Sequence, residues 1–131
     1  MAIIGAKMFK IVLQEARAKG APEEAGHSGY EFFAPLDATG HINLETWKAE
    51  RARCFVHRLD RNELVERGLL VHRAGGVGGA TWAFDYQIGV SDDEEQGYRF
   101  GAHAFVAGEY VSVRNGDGDL LTYRIASVTP G

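Results

Sequence analysis

Five histidines stand at positions 27, 41, 57, 72 and 103. Imidazole binds metals and moves protons near neutral pH. None of the five makes the HExxH or HxxxH spacing that puts two imidazoles on one helix face. His57 and His72 are the pair to weigh, because they fall on neighbouring runs of alternating residues, "ARCFVHRLD" and "LLVHRA". If those runs pair about Asn62 to Glu66, the two histidines lie opposite each other on one sheet face. Two imidazoles could share a metal or a proton. A protein zinc site takes three or four ligands, however, and only two are in view. The pair therefore reads as half-buried wall histidines held by hydrogen bonds. No metal, cofactor or catalytic residue is assigned.

The other reactive groups are weaker still. Asp85 and Glu109 could divide acid and base roles only if brought together. Nothing in their spacing does that, and both read as solvated strand positions. The acidic run at 92–95 and the "NGDGD" at 115–119 lack the ligand alternation and the glycine of a calcium loop. "GGVGG" at 75–79 is followed by a strand pattern, not a helix. It therefore fails as a phosphate cradle and reads as a mobile hairpin tip that could cover a ligand. Cys54 and His57 are three residues apart, which alternation puts on opposite faces. A nucleophile–base pair is not expected there.

One constellation is left. Arg51, Arg53, Arg58, Arg61 and Arg73 occur close in sequence to Trp47, Phe55 and Trp82. Arginines interleaved with aromatic rings can hold phosphates and stack bases, as in RNA or single-strand binding barrels. The competing reading makes Trp47 and Trp82 core residues and pairs the arginines with Glu45, Glu50, Glu63 and Glu66. A formal net charge of −4 favours this second reading, because nucleic-acid affinity rests on neutralised phosphates. The charge is unevenly spread. Lys48 to Arg73 holds seven basic and four acidic residues, whereas Asp85 to Asp119 holds eight acidic and two basic. That asymmetry allows for mutual neutralisation on folding or a head-to-tail contact between copies. The ligand-binding candidates are His57, His72, Arg58, Arg73 and Trp47, with the "GGVGG" tip above them.

The elements that must position these residues are mostly strands. Residues 1–131 suffice for one domain with one core. Seventeen glycines suit turns and bulges better than helix interiors. "KMFKIVLQEA" sets Phe9, Ile11 and Leu13 on one face, and "YEFFAPL" is a short aromatic strand that Pro35 pushes towards an edge. "TWAFDYQIG" gives the cleanest alternation, with Trp82, Phe84, Tyr86 and Ile88 facing the core. "NLETWKAER" is the one short helix, capped by Asn43, with Trp47 and Arg51 on the same face. "RNELVERG" reads as a polar connection, "SDDEEQG" as a solvated loop, and "YRFGAHAFVAG" as irregular with Phe100 and Phe105 tucked inward. The fold class is mainly β with one short helix: a small antiparallel, partly open β-barrel of about six or seven strands.

The end of the chain, "FVAGEYVSVRNGDGDLLTYRIASV", looks like the close of small barrel modules of the SH3-like and PUA-like kind. The resemblance covers about 24 residues and implies a structural hairpin that closes the sheet. The single cysteine excludes an intramolecular disulfide and suits a reducing compartment. The first residues do not form a signal peptide, and no run is long and apolar enough to span a membrane. The expectation is a soluble, cytoplasmic, non-enzymatic module that binds a protein or a small ligand and could self-associate. The alternatives are a nucleic-acid-binding barrel and an enzyme with a histidine-based site.

Overall fold

The computed structural model describes residues 6–15, 28–61, 63–72, 82–86, 94–98, 100, 103–114 and 119–131. Eight strands follow one another: β1 (Lys7–Glu15), β2 (Gly29–Leu36), β3 (Phe55–Asp60), β4 (Glu63–His72), β5 (Trp82–Asp85), β6 (Glu94–Tyr98), β7 (Tyr110–Arg114) and β8 (Leu120–Pro130). Each pairs antiparallel with the next, and β1 pairs with β8, so the sheet closes on itself. The expected mainly β, antiparallel barrel is borne out, with eight strands among the described residues where about six or seven were expected. The ladder thins at β6, where, among the described residues, four pairs join β5 and three join β7.

Period-two alternation decides what lies inside. Ile11 and Leu13, Tyr30 and Phe32, Val56, Leu70, Trp82 and Phe84, Val111 and Val113, Tyr123 and Ile125 are all buried in one core. Rings dominate it. Phe32 lies 5.1 Å from Phe84, and Phe100 lies 5.2 Å from Phe105. Fully burying one such side chain contributes roughly 1.5–3 kcal/mol. Trp82 and Phe84 do point inward together, with Tyr86 packed against the same core. Pro35 sits in β2 beyond Phe32, the last β2 residue that pairs with β3, so its missing N–H costs no ladder bond there.

One end of the barrel is plugged. The helix α1 (Leu44–Ala49) starts at Asn43, whose side chain accepts from the Thr46 amide at 2.9 Å. Trp47 turns inward and donates its Nε1–H to the Leu70 carbonyl at 2.9 Å. Its ring meets Trp82 edge-on at 5.3 Å, and the Arg51 guanidinium covers it from outside at 4.8 Å. Phe100 and Phe105, also buried, fill the adjoining space.

The β3–β4 hairpin departs from the expected register. Asp60 pairs with Glu63, so the turn is two residues long and Arg61 takes a positive φ of 52°. The segment "RNELVERG" is thus mostly strand, and the turn comes three residues earlier than the sequence reading placed it. His57 consequently lies opposite Arg67, and His72 opposite Trp82 in β5. Among the described residues, no helix is long and apolar enough to cross a membrane.

Candidate functional site: the open end of the barrel

The unplugged end holds a concavity of about 250 Å³ lined by residues from β1, β2, β3, β6 and β8, Tyr30, Arg58, Glu95 and Tyr123 among them. Each is an inward position on its strand. Glu95 lies opposite Phe84, and Tyr123 opposite Val111. Both partners face the core, so these polar side chains must face it too.

Glu95 is the central group. It is 7% exposed, a depth at which a carboxylate needs partners. Tyr30 supplies one, its hydroxyl donating to Oε1 at 2.9 Å. Tyr30 in turn packs its ring 4.9 Å from Phe84 and 5.2 Å from Tyr123. The Tyr86 hydroxyl is fully buried and makes no hydrogen bond of ordinary geometry among the described residues, though it lies within reach of the Glu95 carboxylate. It stands within the electrostatic reach of Tyr30, Glu95 and Arg58. Burial, reinforced by the negative charge of Glu95, pushes the Tyr30 and Tyr86 hydroxyls far above the ordinary phenol value. Burial raises Tyr123 as well. All three phenols are therefore neutral in water, able to donate and accept hydrogen bonds but not to act as phenolates.

Arg58 is the cation at this end. Its Nε and Nη2 both donate to Glu66 Oε1, at 3.1 and 2.7 Å. Burial works against its charge, but Glu66 and the nearby Glu95 outweigh that and hold the guanidinium firmly protonated. Towards the rim, Ser28 donates to Asp60 at 2.8 Å, and Glu15 completes the lining.

The sequence candidates do not assemble into one site. Arg58 lines the cavity. His57 points to the outer wall, where its Nδ1 is 3.4 Å from Glu31 and its ring lies 5.3 Å from Phe55. His72 faces inward at the plugged end, 4.7 Å from Trp82. Burial, with the nearby Lys48 charge, lowers its pKa. The expected His57–His72 pairing is corrected by the register. An offset of five residues puts the two imidazoles on opposite faces of the sheet. Trp47 is a buried part of the plug. Arg73 and the "GGVGG" tip lie outside the described residues. The strand ends that flank them, His72 and Trp82, belong to the plugged end.

The arginine and aromatic band is likewise dispersed. Trp47 and Trp82 are core, Phe55 packs on Phe33 outside at 4.6 Å, and Arg53 pairs with Glu50 at 3.3 Å. Asp85, read as solvated, is 3% exposed. Cys54 is buried and its thiol is pushed up to about 11, mainly by burial and then by Glu50. Among the described residues, no group of three His, Cys, Asp or Glu side chains is placed to hold a metal ion.

Sequence reasoning missed Glu95, Tyr30 and Tyr123. Glu95 sat in an acidic run taken for a loop, but the run enters β6. The one available signal was Gly97 two residues on, also inward: a Cβ there would sit 2.5 Å from Cγ of Phe100. Glu95 and Gly97 thus alternate as Trp82 and Phe84 do, without an apolar residue to mark it. Comparison with family models, curated proteins and solved structures finds no match for this chain.

Proposed function

We propose that the chain is a non-enzymatic binding module that takes a small molecule into the open end of its barrel. The carrying observation is the concavity itself, which joins a buried carboxylate, Glu95, to aromatic walls from Tyr30 and Tyr123. An eight-stranded barrel has an interior just wide enough to be filled by side chains or to hold one small ligand. This one does both, filled at the helix end and concave at the other. Small-ligand sites characteristically combine apolar walls with a few convergent polar groups. Neutral phenols beside a carboxylate suit recognition more than reaction, because none is poised as a nucleophile at neutral pH.

The closing hairpin, with its SH3-like or PUA-like look, has a second role in this reading. Its inward face brings Tyr123 and Leu121 to the cavity. The buried, high-pKa thiol of Cys54 suits a cytoplasmic protein that makes no disulfide.

The test is a titration of the isotope-labelled protein with a panel of cationic, neutral and anionic small molecules, followed by NMR. Binding at the mouth shifts Tyr30, Arg58, Leu59, Leu121 and Tyr123 together. A panel that shifts nothing, or shifts only the outer wall around Phe33 and His57, removes the reading.

A further inference from the structure

The mouth carries more negative than positive charge, and its buried carboxylate has spare acceptor positions. Arg58 gives two of its five N–H donors to Glu66, and Ser28 spends its hydroxyl on Asp60. The Tyr30 hydroxyl is spent on Glu95. Against these, an ionised carboxylate has about four acceptor positions, and Glu95 takes one hydrogen bond, from Tyr30, among the described residues. The charges agree. Glu15, Asp60 and Glu95 line the cavity with one cation, Arg58, and a fourth carboxylate, Glu66, already engages that cation. Among the described residues, no cationic group lies within 4.0 Å of Glu95. The walls are phenol rings, Tyr30 and Tyr123, in contact at 5.2 Å. Electron-rich ring faces attract a cation placed over them.

Resting on the binding function just proposed, we propose that the mouth recognises a small organic cation, an ammonium group carried on a short, partly apolar body. The ammonium sits against Glu95 and donates to its carboxylate, while the body lies between Tyr30, Tyr123 and Leu121. At about 250 Å³ the cavity falls below the roughly 300–1,000 Å³ of sites for drug-sized molecules. It corresponds to the liquid volume of about eight waters. An amine of metabolite size fits that space, whereas a peptide or a polymer does not. An anion would meet one cation, Arg58, whose charge Glu66 already offsets, and would face three carboxylates.

The experiment compares three probes of one shape on the intact protein by calorimetry and NMR: 2-phenylethylamine, 2-phenylethanol and phenylacetate. The amine is expected to bind at least about tenfold more tightly than the alcohol, with phenylacetate weakest. In Glu95→Gln, the preference for amine over alcohol is expected to fall below about twofold. The variant's unfolding midpoint checks that it is folded. The comparison of the three probes on the unaltered chain stands even if the variant fails. Equal binding of amine and alcohol, or preference for phenylacetate, at the mouth overturns the cation class and leaves the binding function intact. The cation class also falls if the amine shifts residues away from the mouth, or if none of the three binds while other panel members do. If the whole panel is silent, both readings fall together.

Discussion

Replacing Tyr30 by Phe deletes one oxygen from the middle of the candidate site and little else. The ring contacts with Phe84 at 4.9 Å and Tyr123 at 5.2 Å are open to Phe equally. The change therefore removes the hydroxyl's bond to Glu95 at 2.9 Å, together with its weaker contact with the Tyr123 hydroxyl. Hydrogen bonds to charged groups contribute about 1.5–3 kcal/mol. Glu95 is 7% exposed, so solvent replaces the lost donor poorly, and a loss of about 2 kcal/mol is expected. Unfolding entropy near 2.1 cal/mol/K per residue over 131 residues turns that into a drop of about 7 °C in Tm. Urea unfolding should give a lower midpoint with an unchanged slope. The sharper measurement is a double-mutant cycle with Glu95→Gln. Removing the carboxylate charge should cut the cost of Tyr30→Phe to under about 1 kcal/mol. A cost below about 0.5 kcal/mol in the parent chain, or the same cost in both backgrounds, would refute the claim that Glu95 is a buried ion supported by Tyr30.

Two further outcomes follow from the same geometry. Gly97→Ala places a methyl 2.5 Å from Cγ of Phe100, a fully buried ring held by Phe32, Phe84 and Phe105. Such overpacking costs about 1–3 kcal/mol, and Phe100→Leu in the same chain should recover part of it, as read by thermal unfolding. The second concerns alkaline pH. Tyr30, Tyr86 and Tyr123 all have folded pKa values raised by burial, and in the unfolded chain they ionise near 10. A raised folded value gives stability that is complete below the unfolded pKa and lost as pH climbs above it. Stability should thus show no loss from these groups up to about pH 9 and then fall. Their phenolate absorbance should appear together with unfolding, so phenolate formation in a chain that keeps its near-UV circular dichroism would contradict their burial.

The wall was legible in the sequence wherever one face of a strand was apolar. β1, β5, β7 and β8 announce themselves by alternation, and α1 by Asn43 and the Trp47–Arg51 spacing. β6 did not, because its inward positions are Glu95 and Gly97, and the space over Gly97 is filled by Phe100 three residues on. β4 was read too short because Leu64 and Val65 are exposed, which blurs the alternation near the turn. Misplacing that turn by three residues was enough to pair His57 with His72. The candidate site suffered more. Of its polar members only Arg58 was singled out, because composition draws the eye to histidine and arginine. Tyr30 and Tyr123 looked like ordinary wall aromatics until closure of the barrel brought β2 and β8 within reach of β6.

The two ends of this barrel show why the polar one is the end to probe. At the plugged end the polar groups are matched. The Trp47 N–H has the Leu70 carbonyl, and the Arg51 charge has the indole face. A ligand there would have to break a satisfied contact to make its own. At the open end the buried Glu95 accepts one hydrogen bond of good geometry, from Tyr30, and has spare acceptor positions. A buried polar group left short of partners costs about 1–3 kcal/mol. Rings such as Phe32, Phe84 and Phe100, packed lower in the same barrel, supply stability that can carry that cost. A folded chain that keeps such a deficit at a concave surface is already shaped for whatever relieves it. A ligand that donates hydrogen bonds to Glu95 should therefore stabilise the protein by more than its contact area alone accounts for.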